Sequence, residues 1–280
     1  MTRIAFQGAS GAYSESAARR LWPSCETVPR ERFEDVFDAV KRGDVTHGIL
    51  PIENSVGGSI HRNYDLLLEH DLPIVGETEL TVVHNLLALP GTSIGEIRRV
   101  FSHPQALAQC ERYVRTLPGV EVVATYDTAG SARLIRDGGL RDTAAIASAR
   151  AAEIFGLDIL KAGIQDFADN ITRFIVVALD PEPLGPPDKT TLAFALQNAP
   201  GALFKALSVF ALRDIDLTKL ESRPARGLPW EYLFYVDIGV GRDDLRCTRA
   251  IDHLSEFARW LRVFGSYKQW KDPQQAPLRS

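Results

Sequence analysis

Apolar residues in the first 180 positions follow two alternating rhythms. Short runs rich in Ile, Val, Phe and Ala, at Ile4 to Phe6, Gly48 to Ile52, Val120 to Ala124 and Ala144 to Ala147, have the length and content of buried strands. Between them the period lengthens to that of a helix. From Glu31 to Arg42, Phe33, Val36, Phe37 and Val40 fall at i, i+3, i+4 and i+7, and Gly43 follows as a stop, which predicts a helix whose apolar stripe is core. A second predicted helix runs from Pro104 to Leu117, with Leu107, Cys110, Val114 and Leu117 on one stripe and a proline suited to the first turn. Cys110 is thereby read as a packing residue. Thr128 to Arg136 and the alanine-rich Ser148 to Phe155 also read as helices. Strands alternating with helices predict an α/β domain.

The rhythm breaks at Asp180-Pro181-Glu182-Pro183-Leu184-Gly185-Pro186-Pro187-Asp188, where four prolines withhold backbone donors and favour an extended spacer. Beyond it the pattern is shorter. Thr190 to Gln197, Asp216 to Arg223, Glu231 to Val240 and Leu261 to Phe264 read as strands, Gly201 to Arg213 and Asp243 to Trp260 as helices. The order β-α-β-β-α-β predicts a ferredoxin-like unit, two helices on one face of a four-stranded antiparallel sheet.

Composition narrows the function classes. Hydrophobic residues make up 45% and charged residues 24% of 280, as in an ordinary globular protein. A net charge of -4 supplies no broad basic surface, so nucleic acid is not expected as a partner. No apolar run approaches the ~20 residues that span a bilayer, so no membrane association is expected. Cys25, Cys110 and Cys247 lie far apart and odd in number, which excludes a disulfide framework and a Cys-x-x-Cys metal site. No histidine or carboxylate cluster has ligand spacing, so no metal and no cofactor are expected. A reducing compartment without an export signal gives a cytoplasmic expectation.

Four polar runs sit at predicted strand ends, where ligands of open α/β sheets gather. Gly8 to Ser14 precedes a helix and is either an anion-binding turn or a plain tight turn; it has neither dinucleotide nor P-loop spacing. Glu53, Asn54 and Ser55 follow the strand Gly48 to Ile52 and serve equally as site or turn. Ser102 is a natural N-cap, while Gln105 and Gln109, four apart, share a helix face that is either solvated or amide-donating. Thr172 and Arg173 start the apolar strand Ile175 to Leu179, and such a pair can supply a hydroxyl and a carboxylate clamp.

Taken in order, Gly-Ala-Tyr-Ser at 11 to 14, Pro-Ile-Glu-Asn-Ser at 51 to 55, Ser-His-Pro-Gln-Ala-Leu-Ala-Gln-Cys at 102 to 110, Ala-Ala-Ile-Ala-Ser at 144 to 148 and Asn-x-Thr-Arg-Phe at 170 to 174 resemble the prephenate dehydratase family over nearly the whole chain. Gly201-Ala202-Leu203 and Glu221-Ser222-Arg223-Pro224 resemble the two phenylalanine-binding motifs of that family's regulatory ACT domain. The resemblance implies a two-lobed catalytic domain like a periplasmic binding protein at 1–180, a Pro-rich linker at 181–188, an ACT domain at 189–272 and a tail at 273–280. It implies loss of water and carbon dioxide from prephenate, giving phenylpyruvate on the route to phenylalanine, by a carbon-oxygen lyase under phenylalanine feedback. Thr172 would be the essential residue, with Glu53, Asn54, Ser55, Ser102, Gln105, Gln109, Thr128, Arg173 and Phe174 lining the substrate site; the family's Ser-Thr pair reads Asp127-Thr128 here. Gly201, Ala202, Leu203, Glu221, Ser222 and Arg223 would hold the effector, and a homodimer or homotetramer is implied.

The chemistry constrains these roles. A donor at the departing hydroxyl is needed, and a threonine is suited to it as a positioned hydrogen-bond donor. A cation held tightly on the departing carboxylate would stabilise the ground state, so Arg173 is expected to grip the carboxylate of the pyruvyl arm, and Arg173→Gln to raise KM. After Gly57-Gly58-Ser59, the run Ile60 to Leu67 resembles the plant-type branch, which implies arogenate, with an amino group in place of the keto oxygen, as an alternative substrate. A non-catalytic amino-acid sensor is the reading from another class, since a two-lobed cleft serves binding as readily as chemistry.

Overall fold

The computed structural model describes residues 2–224 and 232–271. The chain runs β1 (Arg3–Gln7), α1 (Tyr13–Leu21), β2 (Glu26–Arg30), α2 (Phe33–Lys41), β3 (His47–Asn54), β4 (Gly58–Ser59), α3 (His61–Glu69), β5 (Ile74–Thr81) and β6 (Asn85–Ala88). It continues through β7 (Arg99–Ser102), α4 (Pro104–Gln109), α5 (Glu111–Val114), β8 (Glu121–Ala124), α6 (Thr128–Gly138), β9 (Thr143–Ala147), α7 (Ala149–Phe155), β10 (Asp158–Lys161) and β11 (Ile171–Ala178). The last part is β12 (Lys189–Ala195), α8 (Ala202–Ala211), β13 (Leu217–Pro224), β14 (Tyr232–Ile238), α9 (Leu245–Ser255) and β15 (Trp260–Tyr267). Two compact units result, residues 1–70 with 78–175, and 71–77 with 176–280. A linear boundary near 180 does not reveal that 71–77 belongs with the C-terminal residues. The expected tail at 273–280 and the start of the predicted strand at Glu231 lie outside the described residues.

The first unit contains two α/β lobes. One sheet has the order β2-β1-β3-β11-β5, with β4 paired to β3, and the other the order β10-β6-β9-β7-β8. The helix predicted at Glu31 to Arg42 forms as α2, and Val36, Phe37 and Val40 are fully buried as its stripe requires. The helix predicted from Pro104 to Leu117 is broken at Cys110, whose φ of -120° and ψ of 18° leave the helical region. Asp166 accounts for the break: its N–H donates to Gln109 O at 2.7 Å and its carboxylate accepts from Arg112 N at 3.2 Å, taking backbone groups that a continuous helix would pair internally. Cys110 is nevertheless core, and burial pushes its thiol pKa up to about 12.

The second unit contains the βαββαβ order and a four-stranded antiparallel sheet, β13-β14-β12-β15. Leu192, Phe194, Val236 and Ile238 point to one face and pack there against Ala206, Val209 and Phe210 of α8 and Ala250 and Leu254 of α9. Both helices therefore cover the same face, the ferredoxin-like arrangement. The second predicted helix ends earlier than expected, at Ser255, because Trp260 already pairs with Ala195 in the sheet.

The opposite face of that sheet carries a buried ionic cluster. Lys189 Nζ donates to Glu77 Oε1 and Oε2 at 3.1 and 2.9 Å and stands 3.8 Å from Asp237 Oδ2, with all three side chains at most 5% exposed. Thr191 donates to Asp237 Oδ1 at 2.6 Å, and Trp270 N donates to Glu77 Oε1 at 3.0 Å. Position 265 must be glycine for the chain at Ile74 to approach, since a β-carbon there would collide with the Ile74 carbonyl. The Pro-rich segment is also held, through Leu184 N to Val75 O at 2.8 Å. Lys189→Met removes the cation and leaves Glu77 buried without it; the expected loss is about 3–5 kcal/mol, read as a fall in the thermal midpoint.

Candidate active site

β3 and β11 are neighbours in the first sheet, and side chains alternate between its faces. On one face, Asn54 Nδ2 donates to Thr172 Oγ1 at 2.9 Å and to Asn170 Oδ1 at 2.7 Å. On the other, Arg173 Nε donates to Glu53 Oε1 at 2.6 Å. Asn54 is itself fixed, because its Oδ1 accepts from Val56 N at 3.1 Å and Gly57 N at 2.7 Å in the turn after β3. The amide therefore meets Thr172 with its nitrogen, one lone pair of the hydroxyl is occupied, and the hydroxyl proton is left to donate elsewhere.

Thr172 opens into a cavity of about 420 Å³ within the first unit, lined also by Asn54, Gln105, Gln109, Thr128 and Phe174. Glu53, Ser55, Ser102 and Arg173 are not among its lining residues. Ser102 donates to Ile146 O at 2.7 Å and is fully buried, and Ser55 ties β3 to β11 by accepting from Ile171 N at 2.9 Å and donating to Asp169 O at 2.5 Å. Arg173, expected to grip a substrate carboxylate, is instead paired with Glu53 here: adjacent residues of a strand face opposite ways, and Thr172 takes the cavity side. Arg173→Gln is accordingly expected to lower stability by about 1–3 kcal/mol in chemical denaturation, with KM little changed.

Sequence reading missed His84, and it held Tyr13 and Asn170 inside motifs without giving either a role. Gln109 Oε1 accepts from Asn170 Nδ2 at 3.0 Å and lies 2.9 Å from His84 Nε2, and the other ring nitrogen lies 2.8 Å from the Tyr13 hydroxyl. Burial holds the His84 pKa below its ordinary value and the Tyr13 pKa well above, so both are neutral near pH 7. The neutral imidazole then donates from Nε2 to Gln109, and its Nδ1 shares the single Tyr13 hydroxyl proton with Val83 O, each 2.8 Å from that hydroxyl. This chain of amides, ring and phenol runs from Tyr13 to Thr172 and fixes which atom of each group faces the cavity.

Helix starts surround the cavity. Ala12, Tyr13 and Ser14 of the α1 start line it, and α1 has no side-chain cap, so its first N–H groups point at open space. Asp127 and Thr128 at the α6 start and His103 at the α4 start line it as well. The lining includes no lysine or arginine, and Asp127 is its one carboxylate among the described residues. A β-carbon at Gly57 would meet the Gln105 amide nitrogen, so any other residue there would displace that side chain from its place in the lining. Ser148 caps α7 through Ala151 N at 3.0 Å and donates to Gly11 O at 2.6 Å, which ties the Ala-Ala-Ile-Ala-Ser run to the Gly-Ala-Tyr-Ser turn. In the second unit Gly201 is the αL cap of α8, with φ of 77°, followed by Ala202 and Leu203, while Glu221, Ser222 and Arg223 lie on the edge strand β13.

The sequence profile of prephenate dehydratase matches residues 4–182. This chain belongs to the prephenate dehydratase family. It is 53% identical over 276 residues to "Arogenate dehydratase/prephenate dehydratase 2, chloroplastic" of Arabidopsis thaliana, covering 95% of this chain and 72% of that protein. A solved prephenate dehydratase of Arthrobacter aurescens, described in complex with L-Phe, has 29% identity and a TM-score of 0.86, over 96% of this chain and 90% of its own. A solved chain described as a novel type of quorum quenching acylase, GqqA, has 38% identity and a TM-score of 0.87, over 95% and 97%. As a prephenate dehydratase family member the chain is an enzyme that removes water, which sets the sensor reading aside. The cytoplasmic expectation is corrected: relatives at 53% and 50% identity are named chloroplastic. The three cysteines are buried and free, and that does not distinguish one compartment from another.

Proposed function

We propose that this chain is a carbon-oxygen lyase that converts prephenate to phenylpyruvate, expelling the ring hydroxyl and carbon dioxide together. The observation that carries the reading is the bond from Asn54 Nδ2 to Thr172 Oγ1, which leaves the proton of this cavity-lining hydroxyl available to donate to a ligand. As the ring carboxylate leaves as carbon dioxide, its electron pair enters the ring and negative charge builds on the departing oxygen, where a positioned O–H donor acts most strongly in the transition state. A lining without lysine or arginine suits the other end, because no cation holds the departing carboxylate in its ground state. The uncapped start of α1 would receive the pyruvyl carboxylate through backbone N–H groups. Purified protein given prephenate should produce phenylpyruvate, followed by its absorbance; absence of product would overturn the reading.

Arogenate is the second substrate reading, favoured by relatives named for both activities. Amide hydrolysis is less well supported, since Thr172 Oγ1 is bonded to an amide and not to an imidazole that would make it a nucleophile.

The C-terminal ferredoxin-like unit would be the regulatory ACT domain, with phenylalanine as effector at Gly201 to Leu203 and Glu221 to Arg223, in a dimer or tetramer. Its topology and the relative described with L-Phe support this. Calorimetry should show phenylalanine binding and initial rates should fall with it. Binding that leaves the rate unchanged would count against feedback.

A further inference from the structure

A second cavity, of about 560 Å³, adjoins the one that holds Thr172 and lies within the same unit. Gly8, Tyr126 and Asp127 line both, so the two share a wall. Their charge differs. The Thr172 cavity has no lysine or arginine among its lining residues, whereas Arg30, Arg32 and Arg133 all line the second, with Ser10 of the turn after β1. Two carboxylates share its wall, Glu31 and Asp127, and among the described residues neither forms an ion pair with these guanidiniums.

The fold does not account for the three arginines. Arg32 is the N-cap of α2, where serine, threonine, asparagine and aspartate are favoured and the helix dipole disfavours a cation. The carboxylates near it are engaged: Asp35 accepts from Arg32 N at 3.0 Å, and Glu34, though within reach of the Arg32 charge, is paired with Arg62. Arg30 ends β2, half-buried, and its Nε is shielded from water without a hydrogen-bond partner. Arg133 stands exposed on α6, and no described residue forms an ion pair with Arg30 or Arg133. A half-buried guanidinium in this state gains from an anion that arrives. Arg30 and Arg32 belong to the lobe of the first sheet, and Arg133 to a helix packed on β9 of the second. Cations that reach one chamber from two lobes suit a ligand with two separated carboxylates, and prephenate carries two. We propose that this chamber is an anion subsite for a small dicarboxylate, through which the substrate passes to the Thr172 cavity. Arginines beside the reacting group would hold the departing carboxylate in its ground state, whereas arginines one chamber away attract a dianion from water without doing so. The attraction acts alike on bound substrate and transition state, whose net charge is the same, so it lowers KM and leaves kcat.

The substrate's route rests on the dehydratase reading above, and the double variant Arg30→Gln, Arg133→Gln tests it. At low ionic strength its KM for prephenate should rise about 5- to 20-fold, with kcat within about twofold of wild type. Salt shortens the Debye length from about 30 Å at 0.01 M to about 3 Å at 1 M, so the difference should largely vanish at the higher concentration. Arg30→Lys with Arg133→Lys keeps both charges and should hold KM within about threefold of wild type. Arg133→Gln alone, at an exposed helical position, should show part of the same rise and serves if the double variant does not fold. Calorimetry with malonate, a dicarboxylate without a ring, reads the chamber without turnover: wild type should bind it, and the double Gln variant about tenfold more weakly or less. Malonate bound equally by both proteins would overturn the anion subsite. An unchanged KM at low salt, a loss carried by kcat, or a KM difference indifferent to salt would overturn its place on the substrate's route. Wild type that binds malonate through these arginines but turns over no prephenate would overturn the dehydratase reading and the route with it, and leave the anion subsite standing.

Discussion

Thr172→Ala should lower kcat for the dehydration by about 100- to 1,000-fold, the factor typical of removing one donor from a developing oxyanion, with KM changed by no more than a few-fold. The fold should survive, since Thr172 makes one side-chain bond, to Asn54, and the β11 backbone ladder does not depend on it. Thr172→Ser retains a hydroxyl at the same place and should keep part of the activity, reduced because a serine hydroxyl rotates more freely than the branched threonine. Thr172→Ala with wild-type kcat would remove the donor from the chemistry altogether. A loss confined to KM would assign Thr172 to ground-state binding.

Asn54→Asp is expected to cost almost as much, through a different atom. Asn54 is 7% exposed, and its nitrogen donates to Asn170, to the Ile171 carbonyl and to Thr172. A carboxylate keeps the shape and continues to accept from Val56 N and Gly57 N, but it cannot donate to Thr172. The Thr172 proton then turns toward residue 54, and the lone pair, not the proton, faces the leaving oxygen. A fall in kcat of about 100-fold is expected with the substrate still bound, a reversal of one hydrogen bond in the transition state. The variant also buries an uncompensated charge and should unfold several degrees earlier, so the rate is measured well below its midpoint. Unchanged kcat in a folded Asn54→Asp protein would mean that the orientation of the Thr172 hydroxyl is irrelevant to the chemistry.

Parts of this site were legible because their signals are local. Asn54 and Thr172 stand at the ends or starts of apolar runs, and Gln105 and Gln109 are one helical turn apart, so strand ends and helix period suffice to gather them. The alternation of a strand was legible too, and it decides against reading Thr172 and Arg173 as a pair in one pocket. The pairing of Tyr13, His84 and Asn170 was not legible, because each partner is tens of positions away, 71 for Tyr13 with His84 and 61 for Asn170 with Gln109. The same holds for the break at Cys110, where the stripe of Leu107, Cys110, Val114 and Leu117 is continuous and the interruption comes from Asp166. In the second unit the β-α-β-β-α-β order was legible from period alone, but the segment 71–77 was not, since its attachment depends on Lys189 meeting Glu77 and on the missing side chain at Gly265.

The most direct test of the Thr172 hydroxyl as the donor to the leaving oxygen is a crystal structure of the enzyme with a stable analogue that keeps the ring hydroxyl but cannot lose carbon dioxide. Thr172 Oγ1 should lie within about 2.6–3.0 Å of that hydroxyl oxygen, with Asn54 Nδ2 still bonded to Oγ1. A ring hydroxyl bound instead to another residue, with Thr172 out of hydrogen-bond reach, would contradict the mechanism.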